Sequence, residues 1–311
     1  MNRNQLLWGL AIITFLGLLP FWASTFYIYT FSTIFVTGLL AVSLNFVLGY
    51  GGIYQFNHAV FYGVGAYTFA LILSKTSFPA WVGFAFGPFL SILLSFFMGV
   101  LCIRLSKLYF GMLQISLGSL IWAVAVKWYN FTGGDNGIHG IPLPSLLSST
   151  KGAYYSALIV SSICIATMYF LVRSPFGATL QATRENPVRS EAIGINIKNH
   201  QLTGLILAGF FAGVAGELFV IVEGSVFPDL MSWTLSLEII VMCLLGGMFT
   251  YLGPILGVTL IISLRIILGA FTEYWTLFMG IIMMFLIYFL PQGVLGYLEA
   301  RLKIVSIQKK E

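Results

Sequence analysis

Charged side chains are scarce in this chain: Asp, Glu, Lys and Arg make up 8% of its 311 residues. Soluble domains carry roughly 25%, so the shortage excludes an ordinary soluble enzyme or binding domain. The hydrophobic fraction of 59% and the mean hydropathy of +0.96 indicate a chain that lies in a lipid bilayer. Its apolar runs are long and not alternating, which favours membrane helices over a β-barrel.

Residues of catalytic and redox chemistry are also few. The three cysteines lie singly in apolar runs, which argues against a disulfide framework or a thiolate metal site. His58, His139 and His200 fall at different predicted depths and cannot share one metal ion. The chain has no HExxH motif, no serine with an evident base partner and no Gly-Lys dipeptide, so it has no Walker A loop of its own. We therefore predict no catalytic residue, no metal site and no cofactor bound by this chain.

The apolar runs predict an all-α polytopic membrane protein, with residues 1–311 forming a single transmembrane domain of about ten spans. Two of the runs, 59–74 and 233–246, are short for a crossing of ~20 residues and are candidates for half-helices or re-entrant segments. The predicted spans lie near 6–23, 28–49, 59–74, 80–103, 109–128, 153–172, 202–223, 233–246, 254–270 and 275–295.

The basic residues are distributed unevenly between these spans. If the N-terminus is inside, eleven of the fifteen Lys and Arg residues fall on the cytoplasmic side. The other four are Lys75, Lys127, Lys151 and Arg265. Because cytoplasmic loops of membrane proteins carry an excess of basic residues, both termini are predicted to be cytoplasmic. The same orientation makes the long polar segment at 173–201 a cytoplasmic loop.

This polar segment contains the signals of a short helix. Asn186 is a good N-cap, Pro187 suits the first helical position, and Gly194 suits the left-handed residue that ends a helix. An apolar stripe lies between the caps at i, i+4 and i+7: Val188, Ala192 and Ile195. Two interpretations are open: a helix that docks on another protein, or a solvated loop whose basic residues only set topology.

Glycine-rich breaks at membrane depth predict a translocation path, because irregular backbone is tolerated there only inside protein or beside a cavity. One break lies in Leu44–Tyr67 and the other follows the 233–246 run. The candidate path residues are Asn45, Gly49, Gln55, His58, Gly63, Gly65, Gly246 and Gly247. The alternative for Gly63 is close helix packing, and for His58 it is a purely structural histidine. A further glycine row on the span at 202–223 predicts a flat face for helix contact.

Three charged residues lie deep in predicted spans: Glu217, Glu238 and Arg265. Each is five or six residues from the outer end of its span, which corresponds to a depth of roughly 8–9 Å. Because unpaired charges at membrane depth are costly, a buried charge cluster is expected, with Arg265 in contact with Glu238 or Glu217 and Glu238 favoured. Its role could be structural or gating. The alternative is that Arg265 extends alone to the interface.

Several runs of the chain resemble the permeases of branched-chain amino acid ABC importers, and the likeness extends over about residues 40–297. The runs occur in the family's order: LNFVLGYGG with NHAVFYGVGAY, SPFGATLQATRENPVRSEAIGIN, AGVAGE, and LLGGMFTYLGPILG with LPQGVLG. The sequence departs from the family pattern at several positions, among them Gln55, Asn57 and Glu217.

The resemblance implies a multi-pass protein of the bacterial inner membrane that is a transport subunit and not an enzyme. Implied partners are a second permease subunit, two cytoplasmic ATPases that bind ATP and Mg, and a solute-binding protein. An ATPase-coupling segment is implied at Arg184, Glu185, Asn186, Val188, Glu191, Ala192 and Gly194. An ABC permease for urea or short-chain amides and an ion-coupled secondary transporter are the alternatives.

Overall fold

The fold is that of a computed structural model that describes residues 14–105, 107–289 and 293–297. In these residues the main helices, numbered in chain order, are α1 Thr25–Asn45, α2 His58–Lys75, α3 Ala80–Cys102, α4 Lys107–Lys127, α5 Thr150–Arg173, α6 Pro175–Glu185, α7 Pro187–Ala192, α8 Ile197–Glu223, α9 Trp233–Gly246, α10 Gly253–Phe271 and α11 Trp275–Phe289. Two short strands, β1 Ile138–His139 and β2 Ser225–Val226, pair antiparallel.

Six helices in the described part of the chain are long and apolar enough to cross a membrane. They are Thr25–Tyr50, Ala80–Cys102, Leu108–Lys127, Thr150–Arg173, Ile197–Glu223 and Gly253–Phe271. The chain is therefore a polytopic helical membrane protein. Residues 6–13 of the predicted first span lie outside the described residues, as does the stretch 290–292 of the predicted last span.

The two stretches predicted as half-helices differ in the structure. The first extends to 18 residues in α2, or about 27 Å. The second, α9, has 14 residues and is only about 21 Å long. Because an apolar core is ~30 Å thick, α9 cannot cross it alone. A loop at 247–252 separates it from α10.

The described helices alternate between two ends of the molecule. At the end that carries α6 and α7, here called the loop end, the Arg184 guanidinium donates to the carbonyl of Gly49 just after α1. At the opposite end, here called the sheet end, Lys75 at the end of α2 donates to the carbonyls of Asn130 and Phe131. The β1–β2 pair also lies at the sheet end. Strand β1 belongs to the connection after α4 and β2 to the connection after α8, so the pair joins these two connections.

The centre of the bundle is the contact between α2, α3 and α8, where small residues bring the backbones together. Gly209 and Gly213 of α8 face Ser95 and Ser91 of α3, and the Ser95 hydroxyl donates to the carbonyl of Leu205 at 2.8 Å. The flat glycine face predicted on this span is confirmed. Close backbone approach of this kind is how membrane helices associate without a hydrophobic driving force.

Replacement of Gly65 by leucine is expected to destabilise the bundle by several kcal/mol, more than the ~1–3 kcal/mol typical of overpacking. A Cβ at this position of α2 would lie 2.6 Å from Cα of Gly213, where only backbone could yield. Gly269→Leu is the matched control, since that glycine of α10 has open space around its Cβ position. Thermal unfolding of the detergent-solubilised chain measures both, and equal melting temperatures for the two variants would contradict the packing account.

Candidate functional site

The two glycine-rich breaks predicted from the sequence meet at the loop end. The first begins with a π-helical turn, Phe46–Tyr50, that continues α1. The Asn45 amide, 1% exposed, donates to the carbonyl of Thr250 in the second break at 3.3 Å. The site for a Cβ on Gly49 is occupied by the Met248 carbonyl, which lies in the same break. Backbone of the first break therefore lies directly against backbone of the second.

The second break depends on glycine in a similar way. Gly247 has φ 118°, a conformation that side chains of L residues rarely adopt, and it ends α9. Gly246 packs on the backbone of Gly253, and Gly257 packs on the carbonyl of Met242, so that α9 and α10 form a close hairpin. The result is a short helix whose end lies in the protein interior.

A buried polar chain follows the first break. The His58 ring, 0% exposed, lies with Nδ1 3.0 Å from Oε1 of Gln55 and with Nε2 2.9 Å from Oγ of Ser43. Every ring nitrogen thus has a partner within the chain. Ser236 of α9 accepts a hydrogen bond from the amide of Ala59 at 3.0 Å and satisfies one free amide at the start of α2.

Of the eight candidate path residues, the structure places Asn45, Gly49, Gly246 and Gly247 at the meeting of the two breaks, and Gln55 and His58 in the polar chain beside it. Gly63 and Gly65 lie elsewhere, packed on Leu230–Met231 and on Gly213. Their contacts are those of helix packing. A role of these eight residues in translocation stays a prediction.

The polar loop consists of two helices where the sequence predicted one. The start and end of α7 match the prediction: the Asn186 side chain accepts from the amide of Arg189 at 2.9 Å, and Gly194 has φ 90°. Sequence reasoning missed α6, because its polar surface hid a short apolar face. That face is Leu180, 0% exposed and packed on Gly51 and Gly204.

The apolar surface of α7 is exposed in the isolated chain. Val188 is 79% exposed, Ala192 is exposed, and Ile193, just after the helix, is 72% exposed. Ile195, the third member of the predicted stripe, is partly buried. The acids Glu185 and Glu191 of the same loop are also exposed. We call Val188, Glu191, Ala192 and Ile193 the α7 surface.

Arg184 connects this loop to the two breaks. Its guanidinium donates to the carbonyl of Gly49 and lies over the ring of Phe249, 5.2 Å from the centroid. Its aliphatic stem covers Gly52, whose φ of 67° completes the turn after the π-helical segment. One side chain of α6 therefore touches both breaks at once. Nothing in the local sequence predicted these two partners, because they lie 135 and 65 residues away in the chain.

The three deep charges separate into a pair and a single residue. Arg265 donates to the Glu238 carboxylate and forms an ion pair with it, and the two side chains are 44% and 29% exposed. Glu217 is 1% exposed and lies against Gly87 of α3. Its Oε1 has no hydrogen-bond partner, and within the described residues no basic group lies within the 4.0 Å ion-pair distance. The expectation of one three-residue cluster therefore does not apply to Glu217, because that side chain points into the α3–α8 contact.

A bundle of membrane helices with two interior breaks, and with a polar helical loop linked to both, defines a membrane transport subunit. The chain belongs to the family described as the branched-chain amino acid transport system permease component, whose match covers residues 26–287. It is therefore a permease subunit of an ABC transporter and not an enzyme.

Relatives of known name agree with this assignment. The chain is 27% identical to the high-affinity branched-chain amino acid transport system permease protein LivM of Salmonella typhimurium, with 88% of this chain and 70% of the relative covered. It is 26% identical to the protein of the same name from Escherichia coli, with 97% and 77% covered. A probable LivM of Methanocaldococcus jannaschii is 22% identical, with 83% and 89% covered. No solved structure matches the chain significantly.

Proposed function

We propose that this chain forms, with a second permease subunit, the translocation path of an inner-membrane importer for branched-chain amino acids. A solute-binding protein delivers the substrate, and two cytoplasmic ATPases hydrolyse ATP with Mg. The family match over 26–287 and the names of the LivM relatives support the substrate class. The observation that carries the mechanism is the contact of Arg184 with both helix breaks.

One of the two ATPases is proposed to dock on the α7 surface of this chain. The exposed side chains of Val188, Ala192 and Ile193 lie close together on a polar loop and suit a hydrophobic groove in a partner. When the ATPases close, α6 and α7 move together, because Asn186 ends α6 and caps the start of α7. Arg184 then transmits the displacement to Gly49 and Phe249. The two breaks, which lie against each other in this structure, separate or come together as a result.

The proposed topology has about ten spans and both termini in the cytoplasm, so that the loop end faces the ATPases. The excess of basic residues in the loops supports this orientation. In that arrangement α2, α9 and α11 cross or enter the membrane in addition to the six long helices. The sheet end then faces the solute-binding protein.

The alternatives have less support. The LivM relatives are named for branched-chain amino acids, which disfavours urea or short-chain amides as the substrate. An ion-coupled secondary transporter requires ionisable groups in its path but no ATPase, and it leaves the exposed α7 surface without a purpose.

Co-expression with a second permease, two ATPases and a binding protein from the same organism tests the proposal. We expect a purified complex whose ATP hydrolysis rises when the binding protein is loaded with leucine, isoleucine or valine. Binding protein incubated with urea or acetamide is the matched control and should not stimulate. Stimulation by the amides and not by the amino acids would replace the proposed substrate, and failure of ATPases to join the complex would contradict the proposed class.

The left-handed turn at Gly194 provides a further prediction. Replacement by valine is expected to reduce uptake per ATP hydrolysed about five- to thirtyfold, since a non-glycine residue in this conformation costs ~1–2 kcal/mol and distorts the end of α7. The Cβ position itself has open space, so only the backbone is perturbed. Gly194→Asn is the matched control, because asparagine tolerates φ near 90°. Equal uptake by the two variants at equal assembly would refute a coupling role for the turn.

A further inference from the structure

The Arg265–Glu238 pair lies in an unusual position for an ion pair of a membrane protein. Glu238 is five residues inside the sheet end of α9, and Arg265 is six residues inside the sheet end of α10, so both lie about 8–9 Å deep. Both side chains nevertheless remain partly exposed in the chain, at 29% and 44%. Charged groups at such depth face the protein interior or a water-filled cavity, because hydrocarbon does not solvate them.

The pair lies near the sheet end of a face of α9 that is partly exposed in the chain. Side chains with intermediate exposure recur at Glu238, Val241 and Leu244, at helical spacings of three residues, and Met248 in the following break is also partly exposed. The opposite faces are buried: Ser236 bonds the amide of α2, and the Cys243 thiol donates to the carbonyl of Ala41 in α1. The exposed face therefore leads from the ion pair to the break at 247–252, a distance of about 15 Å.

We infer that the Arg265–Glu238 pair is a binding site for the charged head of a zwitterionic amino acid on its way through the membrane. This inference rests on the proposed function for its substrate class. The guanidinium fits the α-carboxylate, which it can bind through two parallel hydrogen bonds, and the Glu238 carboxylate accepts from the α-ammonium. Val241 and Leu237 present apolar surface for the branched side chain on the same part of α9.

The empty and occupied states of such a site have similar electrostatics. Without substrate, Arg265 and Glu238 neutralise each other. With substrate, each exchanges its partner for the opposite charge of the ligand, and no charge is left unpaired at membrane depth. The exchange keeps binding weak enough for release, as a transport path requires.

Direct binding to the purified complex tests the inference. Equilibrium dialysis with labelled leucine, in the absence of the solute-binding protein, is expected to show saturable binding by the wild type. Glu238→Gln and Arg265→Gln should each weaken that binding about tenfold or more, since each removes one charge-assisted contact. Glu223→Gln is the matched control. It is another carboxylate near the sheet end, held by the Tyr29 hydroxyl at 2.5 Å and outside the α9 face.

A structural role is separated from recognition by ligands that lack one charge. 4-Methyl-2-oxopentanoate has no ammonium, so it should compete poorly with leucine at the wild type. Glu238→Gln should strengthen its binding, because the variant frees Arg265 from its ion pair and removes a like charge. Isopentylamine has no carboxylate, and Arg265→Gln should strengthen its binding for the corresponding reason. The exchange variant Glu238→Arg with Arg265→Glu restores an ion pair. It should not restore leucine binding, because the two charges have changed places.

Four outcomes would overturn the inference. One is unchanged leucine binding by an intact Glu238→Gln complex, and a second is full recovery in the exchange variant, which would show a purely structural pair. The third is loss of the second permease on substitution, which would make the face a subunit contact. A wild-type complex that transports leucine but does not bind it without the binding protein also counts against the site. A wild type that neither binds nor transports leucine would overturn the proposed function itself.

Discussion

Alanine at Arg184 is expected to reduce amino acid uptake per ATP hydrolysed about tenfold or more, while the complex still assembles. The guanidinium is the described link between the loop and both breaks, through the Gly49 carbonyl and the Phe249 ring. Hydrogen bonds to charged groups contribute ~1.5–3 kcal/mol, and 1.4 kcal/mol corresponds to a factor of ten. Without the link, ATPase closure no longer reaches the second break through Phe249, and α6 contacts only the first break, where Leu180 packs on Gly51. Uptake and phosphate release should be measured in the same proteoliposomes.

Arg173→Ala is the matched control for this experiment. Arg173 ends α5, stacks on the ring of Tyr169 at 4.5 Å and contacts neither break by the described interactions. The Arg173→Ala substitution removes the same charge from the same end of the molecule, so it controls for changes in net charge and in membrane topology. We expect normal coupling in Arg173→Ala. Equal coupling ratios in the two variants would show that Arg184 does not transmit the motion.

Aspartate at Val188 is expected to weaken ATPase attachment about thirtyfold or more. Val188 is 79% exposed in the chain, lies in the first turn of α7 and belongs to the α7 surface. In an apolar groove, a carboxylate at this position loses its hydration without gaining a partner, and changes at such interface centres typically cost ~2 kcal/mol or more. Titration of labelled ATPase onto immobilised permease complex measures the affinity.

Leu146→Asp is a suitable comparison, because Leu146 is 83% exposed but lies in the connection before α5, at the sheet end. It places a charge on a similarly exposed apolar residue that no cytoplasmic ATPase can reach in the proposed topology. Its ATPase affinity should equal that of the wild type. If the ATPase binds the Val188→Asp complex with the wild-type affinity, docking on the α7 surface is ruled out.

Local features of the loop could be predicted from the sequence because they depend on a few neighbouring residues. An N-cap requires only a suitable side chain three residues before the amide it accepts from, and Asn186 meets that condition. The end at Gly194 follows equally from one residue with positive φ. Helix α6 was not predicted, since its buried face is narrow and its apolar partner, Gly51, is more than a hundred residues away.

Contacts between residues that are far apart in the chain could not be predicted from the sequence. The glycine row of α8 predicted close packing, but the sequence does not say that Gly213 meets Gly65 and not another helix. Depth along a span similarly suggested that Glu217, Glu238 and Arg265 lie at one level. The direction in which each side chain leaves its helix depends on packing, and it separates Glu217 from the other two.

The central claim is that this chain conducts branched-chain amino acids when, and only when, ATP is hydrolysed by its partners. Uptake of labelled leucine into proteoliposomes that contain the full complex, with loaded binding protein outside and ATP with Mg inside, tests it most directly. The account predicts accumulation that requires ATP, binding protein and this chain together, and that persists when ion gradients are abolished. Uptake driven by an ion gradient in the absence of ATP, or by this chain without ATPases, would contradict it.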